Sequence, residues 1–299
     1  MGLQETRSGL SFQVAVPAFC GMMLLLVGLH PGALPHPLLA AAVFLALALL
    51  ARLLVFLARR RPAFAPLVLG LGTVILLFGI YSALSLIMPW LLPEPREWFL
   101  LGIDRRVLGY TWEGWWNRAA APWWTDLLQG VYTSFYVFPL LLGAALFVKR
   151  DMPGFYTTLD RVLAGFLVSY CGYLLVPARS PYDFLSYGLD LPTFGLRPLL
   201  HDHLVNTSWT RHDCFPSGHT MMAGYVAWLS WKRARGVFPV LGLWALLTMT
   251  ATLYLRYHYL VDVLAGWAFL LAWILVSERI FGPIRKAGDG GLEEGTPQQ

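Results

Sequence analysis

Eight apolar runs of roughly twenty residues dominate the sequence, at about 12–29, 38–57, 64–91, 126–148, 157–177, 218–232, 237–256 and 259–277. A helix of about 20 apolar residues crosses the ~30 Å hydrocarbon layer of a bilayer. Within that layer every backbone N–H and C=O needs a partner, and a helix supplies all of them inside one segment. Composition agrees: 57% of the 299 residues are apolar and only 13% are charged. A soluble chain carries roughly 25% charged residues, so there are too few charges here to clothe a water-facing surface. Disordered, collagen-like and disulfide-scaffold classes fall with the soluble ones. The expected fold is all-α, a polytopic membrane bundle of about eight transmembrane helices.

The basic residues orient the spans. Arg7 precedes the first run, Arg59, Arg60 and Arg61 follow the second, and Lys149 and Arg150 follow the fourth. Lys232, Arg233 and Arg235 follow the sixth; Arg279, Arg285 and Lys286 follow the eighth. Positive residues collect in cytoplasmic loops, so both termini are expected in the cytoplasm and the first run reads as a retained span. The net charge of +5 is then a matter of topology. It calls for no nucleic acid, and the expected partners are the bilayer and a lipid substrate.

The connection 92–125 holds six of the thirteen tryptophans, with Asp104, Arg105, Arg106 and Glu113 among them. It reads as one or two helices lying flat on the outer leaflet, either an anchoring belt or a lid for lipid entry at Trp115 and Trp116. Three expected regions follow: a two-helix addition over 1–63, a catalytic membrane domain over 64–281, and a disordered cytoplasmic tail over 282–299. Three scattered cysteines make neither a disulfide framework nor a Cys-x-x-Cys metal site.

Polar groups at the ends of spans are costly and mark function. Three clusters qualify, all on the expected outer side: Pro177-Ala178-Arg179-Ser180-Pro181, Cys214-Phe215-Pro216-Ser217-Gly218-His219-Thr220, and Tyr254 through Asp262. Ser217 is a natural helix cap, and Gly218 would let an anion approach the amides of the helix start. His219 could protonate a leaving group. His258 and Asp262 are four apart, so the carboxylate can fix the imidazole tautomer and leave the other nitrogen to attack. Arg179 and Arg256 offer forked donors for phosphate oxygens. Such a set describes phosphoryl transfer without a metal or other cofactor. His201, Asp202, His203, His212 and Asp213 share one outer loop, a weak pattern for zinc.

The last two clusters resemble motifs two and three of the type 2 phosphatidic acid phosphatase (PAP2) superfamily, through Phe-Pro-Ser-Gly-His and through His-Tyr-Leu-Val-Asp followed by Leu264-Ala265-Gly266. Arg-Tyr-His-Tyr resembles the inositol phosphorylceramide synthase branch, which acts on sphingolipids. The resemblance covers about 64–280 and implies a six-helix core, with the first two spans as an addition. It implies that His258 forms a phosphohistidine, that Asp262 orients it, and that His219 protonates the departing alcohol and then activates the acceptor. Ser217, the Gly218 amide and Arg179 would hold the phosphoryl oxygens. The pattern differs at two positions: Gly172 stands where motif one has a lysine, and Thr252 where motif three has an arginine, Arg256 being only two residues before His258. Gly218 favours hydrolysis of a lipid phosphate; the Arg-Tyr-His-Tyr wording favours transfer of a phospho-head-group such as phosphoinositol to a lipid alcohol. A non-enzymatic scramblase on the same scaffold is the third expectation.

Overall fold

The computed structural model describes residues 9–91, 96–109, 118, 120–185, 190–207 and 212–284, without the side chains of 136 and 202–207. A π-turn at Ser11–Ala15 runs into α1 (Val16–Leu29), and α2 (Pro37–Arg60) and α3 (Ala65–Leu84) follow. Next come α4 (Glu97–Leu108), α5 (Pro122–Thr133), α6 (Val137–Val148), α7 (Met152–Leu175), α8 (Leu196–Thr207), α9 (Gly218–Arg233), α10 (Phe238–Tyr254) and α11 (Leu260–Phe281). Among the described residues there is no strand, only an isolated parallel bridge between Ala178 and Asp213. Proline in the first turn, where its missing N–H costs nothing, starts α2, α5, α7 and α10. The chain is an all-α membrane protein.

Every one of the eight apolar runs coincides with helix, but the helices are unequal. Among the described residues five stretches are long and apolar enough to cross alone: Ser11–Leu29, Pro37–Arg60, Pro62–Leu91, Met152–Leu175 and Leu260–Phe281. A sixth is the pair α5–α6, bent by 61°. The remaining two, α9 and α10, have 16 and 17 residues, ~24–26 Å of helix. The shortness of α9 explains why Lys232 and Arg233 follow so closely on His219. Arg233 turns to Asp151 at 3.0 Å instead of reaching for the lipid headgroups, and Asp151 also caps α7 through Gly154 N at 2.9 Å.

At the centre stands α7: 78% of its apolar window is buried, against 28% for α2. Its Asp160 carboxylate accepts the N–H groups of Gly9 and Ser11, both at 2.8 Å, and ties the start of the chain to the core. One continuous apolar core takes in Phe12 of the π-turn, Cys20 of α1 and Phe44 of α2, together with Tyr170, Met222 and Trp273.

The described part of the tryptophan-rich connection is helical, as expected. Trp98, Phe99 and Val107 of α4 are exposed, whereas Glu97 and Asp104 on its other face are buried to 1%. The helix turns its carboxylates inward and its apolar side outward, because both acids find donors in the bundle. Trp112, Trp115 and Trp116, and the tail from residue 285, lie outside the described residues. All three cysteines are free thiols.

Candidate active site

Three helix ends meet at one end of the bundle: the C-terminus of α7 and the N-termini of α9 and α11. Short backbone bonds join the connecting loops. Cys214 N donates to Ala178 O at 3.1 Å, Ala178 N to His212 O at 3.3 Å, and Ser217 N to Asp262 O at 3.0 Å. The three sequence clusters therefore form one site.

The catalytic candidates come together. The rings of His219 and His258 lie edge to face, centroids 6.0 Å apart with planes at 60°. A phosphoryl group passing between them would have to come within ~3.5 Å of each ring. His258 is 4% and Asp262 0% exposed. His258 Nδ1 stands 3.4 Å from Asp262 Oδ2, so Nε2 is the nitrogen left for chemistry.

Asp262 Oδ2 is crowded. It accepts Tyr259 N and the Cys214 thiol, both at 2.9 Å, whereas Oδ1 has no hydrogen-bond partner among the described residues. Burial first, then the charges of Asp262 and Asp213, push the Cys214 thiol well above its ordinary range. The thiol thus stays a neutral donor. Cys214, His258 and Asp262 have ligand atoms within 4.8 Å of one another, close enough for a metal ion. A metal there would bind the thiolate and release the thiol proton.

Ser217 caps α9 as expected. Its Oγ accepts Thr220 N at 3.2 Å and Thr220 Oγ1 at 3.0 Å. Both cap bonds are accepted by the oxygen, so the hydroxyl proton and the amides of the first turn are the donors an anion would meet here. Gly218 has a different reason from the expected ligand approach: a Cβ there would lie 2.4 Å from Tyr173 Oη and 2.6 Å from Ser169 Oγ. The glycine is demanded by packing against α7, so it carries no information about the acceptor. Gly172 has a similar cause, since a Cβ would lie 2.4 Å from Cδ of Pro216; no lysine fits there. Thr252 is buried, with Oγ1 bonded to Met249 O at 2.7 Å. Its carbonyl accepts Tyr257 N and His258 N, both at 3.0 Å, and so sets the turn that delivers His258.

The arginines are more constrained than the sequence suggested. Arg179 gives Nε to Glu97 Oε1 at 2.7 Å and its backbone N–H to the same oxygen at 3.1 Å, which leaves the two terminal nitrogens for other partners. Arg256 is 4% exposed and occupies the left-handed backbone region at φ 67, the position after a helix C-terminus that glycine ordinarily takes. Asp104 accepts Leu260 N at 2.7 Å and Val261 N at 2.9 Å, capping α11 from a helix more than 150 residues earlier.

Sequence reasoning places Tyr132 along the cavity but not against His219. Tyr132 stacks on its ring at 4.1 Å, and Phe135 lies at 4.3 Å. Sequence reasoning missed Tyr257, whose hydroxyl donates to Gln129 Oε1 at 2.8 Å and meets His201 Nδ1 at 2.7 Å. Of the loop candidates for zinc, His201 is engaged with Tyr257 and Asp213 with the Tyr81 hydroxyl; the side chains of Asp202 and His203 lie outside the described residues.

The fold and site define an all-helical membrane protein in which two imidazoles, a buried carboxylate and a helix N-terminus meet. The family model of the PAP2 superfamily matches residues 98–276, more than half of the chain and all of the motif residues above. The chain belongs to the PAP2 superfamily. A curated protein of Dictyostelium discoideum, named PA-phosphatase related-family protein, is 26% identical over 164 residues, covering 48% of this chain and 30% of that relative. This chain therefore spans under a third of that relative's length. No solved structure matches.

Proposed function

We propose that the chain hydrolyses a lipid phosphate through a phosphohistidine at His258. Nε2 of His258 attacks phosphorus as the bond from phosphorus to the lipid oxygen breaks, and His219 gives that oxygen its proton. Water then attacks the phosphohistidine. His219 takes a proton from the water, the N–P bond breaks, and inorganic phosphate leaves. Asp262 holds His258 in the productive tautomer. The first amides of α9 and the free nitrogens of Arg179, with Arg256, stabilise the charge on the equatorial oxygens. The observation that carries this reading is the 6.0 Å approach of His219 and His258, with Asp262 behind the latter.

Hydrolysis is favoured by the kinship to phosphatases, since Gly218 answers to packing. The test supplies purified protein with phosphatidate alone and, separately, with phosphatidylinositol and a lipid alcohol, and measures free phosphate and new phosphodiester lipid. Phosphate release lost in His258→Ala supports the reading. A phosphodiester product in place of phosphate would assign a phosphotransferase, and lipid movement that survives His258→Ala would assign a scramblase.

A further inference from the structure

Three unlike ligand groups meet behind the attacking face of His258. Cys214 Sγ lies 3.5 Å from His258 Nδ1 and 2.9 Å from Asp262 Oδ2, and those two atoms are 3.4 Å apart. All three side chains are buried. Zinc bound tetrahedrally at its usual distances to sulfur, nitrogen and oxygen separates the ligand atoms by ~3.3–3.6 Å. Two of the three distances already fit. The third would open by ~0.6 Å as an ion replaces the thiol proton. The other oxygen of Asp262, Oδ1, is buried with no hydrogen-bond partner among the described residues. The carboxylate therefore holds acceptor capacity that the described residues leave unused.

A thiol, an imidazole and a carboxylate suit a borderline or soft divalent ion, whereas magnesium and calcium take oxygen ligands. Burial, and then the charges of Asp262 and Asp213, keep the proton on the Cys214 thiol. Those same two carboxylates attract a dication, so exchanging the proton for a metal adds one positive charge where two negative ones stand. The exchange releases the thiol proton to water. Its effect on His258 follows from the tautomer. Asp262 keeps the ring proton on Nδ1, and Nε2 holds the lone pair that attacks. A metal binds a nitrogen through its lone pair, so an ion on Nδ1 moves the ring proton to Nε2. The nucleophile is then lost although the ring has not moved.

We propose that Cys214, His258 and Asp262 form an inhibitory site for a thiophilic divalent ion of the zinc class, which stops the enzyme by holding Nδ1 of His258. The inhibition rests on the phosphatase reading above, with His258 as nucleophile; the metal site itself stands on the three side chains. Phosphoryl transfer asks of Cys214 no more than a neutral donor to Asp262. The sulfur is what adds the ion.

The test uses the full chain in detergent micelles, with cadmium as the binding probe and zinc as the inhibitor. Cadmium bound to a thiolate absorbs in the ultraviolet, so titration should raise a band that saturates at one ion per chain. Zinc in a chelating buffer should stop phosphate release from phosphatidate, and excess chelator should restore it. Cys214→Ser keeps a donor for Asp262 and removes the soft ligand. It should abolish the band. The zinc concentration that halves the rate, judged against the variant's own uninhibited rate, should rise at least about tenfold, the lower end of what metal sites lose when their surroundings change. Replacing the other two free thiols, Cys20→Ala with Cys171→Ala, should alter neither readout. No band on the intact protein, a band that survives Cys214→Ser, or zinc sensitivity unchanged by it overturns the proposal. So does a rate that zinc raises, or a saturated band with turnover intact. Absence of turnover with phosphatidate would count against the phosphatase reading, while the cadmium band would still judge the site.

Discussion

The phenol ring of Tyr132 lies on the imidazole of His219, centroids 4.1 Å apart and planes within 18°. This contact fixes the plane of a ring that opens α9, where only one neighbouring turn supports it. Aromatic pairs of this kind contribute ~0.5–1.5 kcal/mol beyond the area they bury. Tyr132→Phe keeps the stack and should hold kcat within about threefold; Tyr132→Ala should lower it by about tenfold. Steady-state kinetics on phosphatidate measure both, and equal values for the two variants would deny the stack any role.

Asp104 gives a stability prediction. It satisfies two orphan N–H groups at the start of α11 from a buried position. Loss of a helix cap costs ~0.5–2 kcal/mol, so Asp104→Ala should unfold at lower temperature. Because α11 also carries Asp262, activity should fall alongside stability. Thermal unfolding in detergent reads the first effect and phosphate release the second.

Backbone and guanidinium can be separated at Arg256. Its φ of 67 is a conformation that costs an L-residue roughly 1–2 kcal/mol and glycine little. Arg256→Gly should therefore be more stable than Arg256→Ala by about 1 kcal/mol, while the two lose turnover alike. Similar melting temperatures for the two would show that the turn carries no strain.

Cys214 supplies a prediction about pH. Its folded pKa is raised, so the thiol remains protonated through the range in which an exposed cysteine ionises, and the thiolate forms only at still higher pH. Alkylation requires the thiolate. N-ethylmaleimide at pH 8 should leave activity intact, and Cys214→Ala should retain turnover because Asp262 keeps the Tyr259 N–H. Rapid inactivation protected by substrate would mean an ionised Cys214. Chelators should likewise leave turnover unchanged, the cationic side chains standing in for a metal; restoration of lost activity by a single divalent ion would point to the Cys214–His258–Asp262 group.

The helices and the convergence of His219, His258 and Asp262 were legible from the sequence, because apolar length and motif spacing are local properties. The partners that hold the site were not. Asp104 caps α11, and Glu97 pins Arg179, from a helix whose acids look like surface charges among tryptophans. Only the bundle turns that face inward. Gly218 and Gly172 were read through ligand chemistry and motif pattern, whereas Tyr173 and Pro216 dictate them through contacts distant in sequence. Tyr132 could be read from the sequence as lining the cavity, but its stack on His219 could not, because the two come from helices distant in sequence.

The central claim is covalent chemistry at one imidazole. Rapid quenching of the enzyme with phosphatidate labelled in its phosphate, under alkaline conditions that preserve phosphohistidine, tests it directly. The label should appear on the peptide containing His258 and vanish in His258→Ala, with turnover falling at least ~10³-fold. Label on another residue, or turnover that survives the substitution, would contradict the account.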